Sequence, residues 1–347
     1  MLKVLFLTPW YPSEKDAMIG LFVQKHVEAV RAQGVEVRVI HSQSLWDTVR
    51  QYKKLQKEGW TPDIVQLNVI QKQGLLAVWL KKRYHIPYVI IEHWTGYLPE
   101  SKSVRPKTLH TQMMRYICRE AEIVMPVSKH LGEAMRALGF KAKRWEKINN
   151  VVDDFFFEQP KPEKKNTACK VMLNITCFDE PHKNVKGLLR AAKELSEKRR
   201  DWRLVLVGTG VDYKEVRAYA DSLGFPGGML EWRGELKPQQ VSDEFDRADI
   251  FVLTSRFENA PVVISESIVK GVPVVSTNVG GISEMVNEQS GILVPSGDEE
   301  ALVAAMNKML DNYSTYNHEH IRKAGSQYSF SVVGAQLTNL YHTCAQG

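Results

Sequence analysis

Cysteine is scarce in this sequence, and the cysteines that occur form no recognisable pattern. The chain of 347 residues contains four, with no C-x-x-C pair and no spacing typical of zinc ligands. We therefore expect reduced, mostly buried thiols, which are typical of a cytosolic protein. The four residues are Cys118, Cys169, Cys177 and Cys344.

The sequence also lacks any apolar run close to the ~20 residues that a membrane-spanning helix requires. Its first segment, MLKVLFLTPWYP, has a short apolar run that ends at Pro9 and Pro12. We interpret this run as a first strand and not as a signal peptide. Any membrane contact is then peripheral, and we expect a cytoplasmic protein, either free or at the inner face of the membrane.

The overall composition is that of a globular protein, and the chain is too long for one ordinary core. We expect two domains. The formal net charge of +6 is mild, and no nucleic-acid partner is expected. Basic clusters at Lys81–Arg83 and Lys141–Lys147 are typical of a solvated surface. The alternative is attraction to anionic lipid or to an anionic acceptor.

Short β-branched runs alternate with segments of helical periodicity, which predicts an α/β fold with parallel sheets. In the first half we expect strands at residues 3–7, 35–40, 63–67, 87–91 and 123–127, and another near Lys147. The polar segment EQPKPEKKNTA has two prolines and no hydrophobic periodicity, so we interpret it as a linker. The predicted organisation is a first Rossmann-like domain at 1–157, a linker at 158–168, a second Rossmann-like domain at 169–328 and a final helix at 329–347.

Two carboxylates mark the second domain. Glu258 stands just before a helical segment led by Pro261, and Glu266 falls inside that segment. Unpaired amides at the start of a helix favour an anion such as phosphate, and carboxylates accept paired hydrogen bonds from vicinal hydroxyls. Together these features suit a sugar nucleotide. Surface glutamates unrelated to a ligand are the alternative.

The pattern around these carboxylates resembles the donor-binding signature of retaining glycosyltransferases, family 4 of the GT-B fold. The E-x7-E motif is followed by Gly271-Val-Pro-Val-Val275 and then by Gly280-Gly-x-x-Glu284. The resemblance implies two Rossmann-like domains that face each other across a cleft. It also implies that the last helix crosses back to pack on the first domain.

The resemblance assigns roles to several residues of the second domain. Glu266 would hold the ribose hydroxyls, Glu258 the hydroxyls of the transferred sugar, and Lys183 the diphosphate. The backbone of Asn259, Ala260, Pro261 and Val262 would bind sugar and phosphate, Gly208 would approach the nucleotide, and Arg233 would contact the base. The family usually has an arginine where this chain has Phe178, so one phosphate-binding cation is missing; His182 and Arg256 are candidate substitutes.

In the first domain the resemblance singles out His93 and Gly20. His93 follows the fourth predicted strand, at the end of the sheet where ligands collect, and the family places such a histidine beside the reacting sugar. Gly20 would let the backbone approach the donor. The alternatives are that His93 is a structural histidine whose hydrogen bonds are made within the fold, and that Gly20 is required only by a turn.

The function implied is transfer of a sugar from a UDP-sugar or GDP-sugar to a hydroxyl of a glycan or lipid-linked acceptor, in bacterial surface polysaccharide synthesis. The sequence contains no D-x-D motif, so we expect metal-independent transfer with no cofactor. Two other functions stay open: a sugar-nucleotide epimerase of the same architecture, and a catalytically silent donor-binding partner of another transferase.

Overall fold

A computed structural model describes residues 1–14, 19–101, 103–105, 107–158 and 169–345. The chain divides into two compact units. The first consists of Met1–Asp153 and Gln327–Gly347, and the second of Asp154–Ser326. The predicted linker at 158–168 lies outside the described residues, apart from the backbone of Glu158 at the end of a short helix.

The first unit is built on a five-stranded sheet in the order β2-β1-β3-β4-β5. Each recorded pairing in this sheet is parallel. Every residue of the central strands β3 and β4 is buried, as expected for a sheet that is covered on both faces. The strands are β1 Lys3–Thr8, β2 Glu36–His41, β3 Ile64–Asn68, β4 Tyr88–Glu92 and β5 Ile123–Pro126.

Helices cover both faces of this sheet, and the last helix of the chain is one of them. The helix at Phe330–Ala345 packs along the helix at Leu21–Ala32 within the first unit, which confirms that the chain returns to its first domain. The helices are α1 Leu21–Ala32, α2 Leu45–Lys57, α3 Gly74–Tyr84, α4 Leu109–Glu120, α5 Lys129–Ala137 and, at the end of the chain, α14 Phe330–Ala345.

The second unit contains a six-stranded parallel sheet in the order β11-β10-β9-β6-β7-β8. Its strands are β6 Lys170–Ile175, β7 Trp202–Val207, β8 Leu230–Gly234, β9 Ile250–Leu253, β10 Val274–Thr277 and β11 Gly291–Val294. The helices of this unit are α6 Asp154–Glu158, α7 Glu180–Lys183, α8 Val185–Lys198, α9 Tyr213–Ser222, α10 Pro238–Arg247, α11 Val262–Val269, α12 Glu299–Asn312 and α13 His318–Ala324. The α/β fold class with two parallel sheets is confirmed.

Two sequence-based expectations are wrong. The segment near Lys147 is not a strand; it makes one isolated bridge, between Trp145 and Val124, and a few backbone hydrogen bonds along the edge of β5. The thiols are not mostly buried. All four are free, but Cys118 alone is buried; Cys169 and Cys177, on either side of β6, are exposed, and Cys344 is half-buried.

Among the described residues, no helix combines the length and the apolar character that a membrane crossing demands.

Candidate functional site

The carboxyl ends of β6 and β9 form the centre of the candidate site in the second unit. From β6 the chain continues outward to β7 and β8, and it then returns to the other side of β6 as β9. The loops that follow β6 and β9 therefore diverge at a topological switch point, where open α/β sheets bind their ligands. Lys183 follows β6, and Glu258 follows β9.

Lys183 and Glu258 form an ion pair at this switch point. The Lys183 Nζ lies 2.5 Å from Glu258 Oε1, and the hydroxyl of Ser255 donates a hydrogen bond of 2.8 Å to the same oxygen. Both charged side chains are largely buried. The two residues are 75 positions apart in the chain, and only the adjacency of β6 and β9 brings them together.

Each member of this pair keeps the other charged. Burial is the largest single influence and lowers the pKa of Lys183, but the charge of Glu258, its hydrogen bond and smaller neighbouring effects together outweigh burial, and the pKa of Lys183 is raised. Burial similarly raises the pKa of Glu258, but the charge of Lys183 is the first of several effects that together outweigh burial, and the pKa of Glu258 is lowered. The site thus holds an ammonium and a carboxylate at neutral pH, with the Ser255 hydroxyl bonded to the carboxylate.

Hydrogen bonds among Thr254, Arg256 and Asn184, which the sequence did not predict, fix the segment that carries Lys183. The Thr254 hydroxyl donates to the backbone oxygens of Lys183 and Asn184, at 3.1 and 3.2 Å. The Arg256 guanidinium donates to the carbonyl of Glu180 and, at 2.7 Å, to the Asn184 side chain. Asn184 itself has a left-handed backbone with φ 51°. Lys183 itself is the last residue of the short helix α7.

The position expected to carry a second cation belongs to the core. Phe178 is fully buried and packs against Tyr213 and Trp232, with ring centroids 5.0 and 5.9 Å apart. Of the two candidate substitutes, Arg256 is bound to the α7 loop, whereas His182 lies 3.8 Å from Glu258.

The His182 ring stacks on Phe257, and its Nε2 hydrogen-bonds the Phe257 carbonyl at 2.7 Å. Burial, and then the charge of Lys183, lower the pKa of His182. The neutral ring therefore donates through Nε2 and keeps Nδ1 as an acceptor. In this form His182 adds no positive charge beside Lys183.

Helix α11 follows Glu258 closely. Pro261 takes the N-cap position, one residue before the first turn where we expected it, and Val262 opens the helix. Asn259 is buried and Ala260 is half-buried in the connection, so this backbone lies directly beside the ion pair. Glu266 is half-buried inside α11, as predicted.

Gly208 follows β7, and Arg233 lies near the carboxyl end of the neighbouring strand β8. Gly208 has φ +119°, and a Cβ atom placed there would lie 1.9 Å from the Thr176 carbonyl oxygen, so only glycine fits. The Arg233 guanidinium lies 2.7 Å from Glu231 and 3.5 Å from Glu244. Both residues lie at the same edge of the sheet as the ion pair, because all these strands are parallel.

In the first unit, His93 immediately follows β4 and contacts helix α1. Its ring lies 4.3 Å from that of Phe22 and 5.5 Å from that of His26. Burial, followed by the neighbouring His26, lowers the pKa of His93 well below its usual value. A neutral imidazole at the carboxyl end of a strand results. Gly20 is the N-cap of α1, with φ +73°, two residues before Phe22. This backbone conformation by itself accounts for a glycine there.

A buried carboxylate that the sequence reasoning missed fixes the backbone at His93. Glu92 ends β4 fully buried and accepts hydrogen bonds of 2.9 to 3.0 Å from the amides of Ile70, His93 and Trp94 and from the Tyr97 hydroxyl. Burial raises the pKa of Glu92, and these donors oppose the rise. The available signal was a glutamate that ends an otherwise apolar strand.

Within the described ranges, no group of three or more His, Cys, Asp or Glu side chains is arranged to hold a metal ion.

Two protein-family models match the chain. The model described as "Glycosyl transferases group 1" matches residues 152–327, which include Lys183, Glu258 and Glu266. The model described as "Glycosyl transferase 4-like domain" matches residues 25–150, which include His93.

Two glycosyltransferases are similar to this chain in sequence, and one solved structure is similar to it in fold. The lipopolysaccharide 1,6-galactosyltransferase of Escherichia coli (strain K12) is 26% identical over 204 residues, which cover 58% of this chain and 56% of the relative. The phosphatidyl-myo-inositol mannosyltransferase of Mycobacterium leprae (strain TN) is 28% identical over 222 residues, which cover 61% of this chain and 56% of the relative. The matches thus span just over half the length of these relatives. The structure of Anabaena HepE in complex with UDP-glucose shares the fold, with a TM-score of 0.78 at 17% identity over 99% of this chain and 100% of that one.

Proposed function

Since the chain belongs to the group 1 family of glycosyl transferases, we propose that it is a retaining glycosyltransferase. It moves a sugar from a nucleoside-diphosphate sugar to a hydroxyl of a glycan or lipid-linked acceptor. The observation that carries this proposal is the buried pair of Lys183 and Glu258 at the switch point of the second sheet.

The donor site is proposed to extend from this pair along α11. Glu266 accepts hydrogen bonds from the ribose hydroxyls, and Glu258 from hydroxyls of the transferred sugar. The amides from Asn259 to Val262 bind sugar and phosphate, Gly208 allows close approach of the nucleotide, and Arg233 contacts the base. A UDP-sugar or a GDP-sugar fits this assignment; the UDP-glucose complex of the structurally similar HepE supports the former.

Lys183 is proposed to neutralise the leaving diphosphate. Its ammonium is fixed before the donor arrives, and a fixed charge at the point where negative charge develops lowers the barrier most. The sequence has no D-x-D motif, and Lys183 supplies a positive charge from the protein, so we propose transfer without a metal ion.

Glu258 is not proposed as a nucleophile. A double displacement needs a carboxylate on the face of the sugar opposite the leaving group, whereas Glu258 is paired with the lysine assigned to that leaving group. A same-face displacement, in which the departing diphosphate takes the acceptor proton, agrees better with this pairing and retains the anomeric configuration.

The first unit is proposed to act on the acceptor side. We assign His93 to the neighbourhood of the reacting sugar and Gly20 to the backbone that approaches the donor. The acceptor is proposed to be a lipid-linked or anionic glycan of a bacterial surface polysaccharide, at the inner face of the membrane. The two relatives named above support this setting, because their names specify lipopolysaccharide and phosphatidyl-myo-inositol.

The test is turnover of UDP-sugars and GDP-sugars by Lys183→Ala beside Lys186→Ala. Lys186 is the matched control, since it lies three residues along the chain and pairs with Glu215 at the surface. We expect Lys183→Ala to lose about a hundredfold or more in turnover and Lys186→Ala to keep wild-type activity. Equal activity of Lys183→Ala and wild type contradicts the assignment, and donor consumption without any acceptor identifies an epimerase.

A further inference from the structure

Helices α2, α3 and α4 form one face of the first unit. They connect β2 to β3, β3 to β4 and β4 to β5. All three connections advance across the sheet in the same direction. Right-handed crossovers therefore place the three helices on the same face, and α1, whose connection runs the other way, on the opposite face. Neighbours within the layer pack together, α2 on α3 and α3 on α4.

The outward stripe of α2 combines one tryptophan with basic residues. Trp46 is 85% exposed at the start of the helix. Arg50, Lys53, Lys54 and Lys57 follow it at helical spacing and are also exposed. Asp47 accepts a hydrogen bond of 2.7 Å from Arg50, and three lysines remain along the same stripe.

The outward sides of α3 and α4 repeat this combination. Trp79 and Tyr84 are 47% and 46% exposed and lie edge to face, with ring centroids 5.2 Å apart. The Lys82 ammonium lies 5.1 Å from the Tyr116 ring, so a cation of α3 covers an aromatic ring of α4. Leu109, at the start of α4, is 90% exposed.

Arg83 and Arg119 add positive charge to these helices, over Tyr84 and Tyr116. Glu120 is the acidic neighbour, 3.7 Å from Lys82 and 3.6 Å from Arg119. Basic side chains therefore outnumber acidic ones across the stripes, and large apolar side chains stand among them. We call the exposed aromatic, leucine and basic residues of α2, α3 and α4 the cationic–aromatic face.

We propose that the cationic–aromatic face binds the surface of an anionic lipid bilayer. Tryptophan and tyrosine favour the boundary between headgroups and acyl chains, and lysine and arginine are attracted to anionic headgroups. A helix that lies on a membrane has this division between apolar and basic residues. Leu109 favours lipid over nucleic acid, because an aliphatic side chain neither stacks on a base nor contacts a phosphate.

The charge component is tested by sedimentation with lipid vesicles, without donor or acceptor. Wild type is expected to bind vesicles that contain phosphatidylglycerol and not vesicles of phosphatidylcholine alone. Replacing Lys53, Lys54 and Lys57 by glutamine is expected to weaken this binding about a hundredfold, since each basic residue near an anionic surface contributes substantially. The matched control replaces the exposed lysines Lys214, Lys308 and Lys323 of the second unit and should bind as wild type does.

The apolar component is tested with Trp46→Ser and Leu109→Ser beside Val332→Ser. Val332 is an exposed apolar residue of α14, which packs on α1 at the opposite face. The first two variants are expected to bind the anionic vesicles more weakly, and the third to bind unchanged. Dextran sulfate serves as a soluble polyanion for comparison.

The proposal is overturned if no variant changes vesicle binding. It is also overturned if the lysine variant loses binding while Trp46→Ser and Leu109→Ser bind as wild type does, and dextran sulfate competes fully with the vesicles for the protein. The second result would indicate a soluble polyanion as the partner. Thermal unfolding of each variant shows whether it folds. Because no transfer reaction is measured, failure here leaves the proposed activity unaffected.

Discussion

The ammonium of Lys183 and the carboxylate of Glu258 are two charges that the fold removes from water and places 2.5 Å apart. Removing a charge from water is costly, and its opposite partner recovers that cost only while both are present. Before the donor binds, Glu258 thus keeps Lys183 charged and in place. In our proposal, an arriving diphosphate offers Lys183 a second anionic partner, and sugar hydroxyls offer Glu258 new donors.

A double-mutant cycle measures the coupling of this pair. Lys183→Met leaves a buried carboxylate without its cation and is expected to cost about 3 kcal/mol of the free energy of unfolding. The double variant Lys183→Met with Glu258→Gln should cost clearly less than the sum of the single variants. Urea unfolding gives all three values.

A similar cycle on Lys170 and Asp201 is the control. That pair is 2.6 Å apart but more exposed to solvent, so its coupling should stay below about 1 kcal/mol. Additive effects at Lys183 and Glu258 would show that the two charges do not stabilise each other.

The sequence predicted which side chains matter better than it predicted how they contact each other. Lys183 and Glu258 were identified from motifs, but their pairing depends on the order of strands, which no local pattern specifies. Position 178 was interpreted as a lost cation, whereas the structure shows an aromatic core residue. Glu92 was missed because the sequence alone does not distinguish a buried, fully hydrogen-bonded glutamate from a glutamate at the surface.

At the scale of elements, α1 connects the first unit's candidate residues. His93 contacts Phe22 and His26 of this helix, and His26 Nε2 hydrogen-bonds the Asn149 carbonyl at 3.0 Å. His26 is fully buried, and burial lowers its pKa from 6.5 to about 4. The helix is thus bound to the segment that leads out of the first unit by a histidine that stays neutral.

This neutrality makes stability depend on pH in a defined direction. Between pH 6.5 and pH 4 the unfolded chain protonates His26 while the folded chain does not, so stability falls as the pH falls. Wild type should lose up to about 3 kcal/mol more over this range than His26→Gln does. His110→Gln, at an exposed histidine, should leave the wild-type slope unchanged. Urea unfolding at several pH values checks this, and equal slopes for wild type and His26→Gln contradict it.

Hydrophobic periodicity predicted the elements well where side chains alone decide the structure. A strand was predicted at residues 87–91, and β4 is observed at Tyr88–Glu92. The segment near Lys147 failed because it pairs only briefly with the edge of β5. The exposed stripe of α2 was also missed, because the sequence does not show whether a tryptophan such as Trp46 faces the core or the solvent, which depends on what packs against the helix.

At the scale of the whole molecule, two parallel sheets present the carboxyl ends of their strands as sites for function. The second unit places Lys183, Glu258, Gly208 and Arg233 along one edge of its sheet, and the first unit places His93 at the corresponding edge of its own. Both family models fall on this division of the chain. We propose that the second unit binds a nucleoside diphosphate between Lys183 and Glu266.

Thermal unfolding with UDP, GDP and ADP, each with and without magnesium, tests this donor site. Wild type is compared with Glu266→Ala and with Glu288→Ala, a control at an exposed glutamate of the same unit. At about 100 times its dissociation constant, a nucleotide should add roughly 2.7 kcal/mol of stability, a rise of a few degrees. We predict that one nucleotide raises the melting temperature without magnesium, that Glu266→Ala loses the rise, and that Glu288→Ala keeps it. No rise with any nucleotide would contradict the donor site.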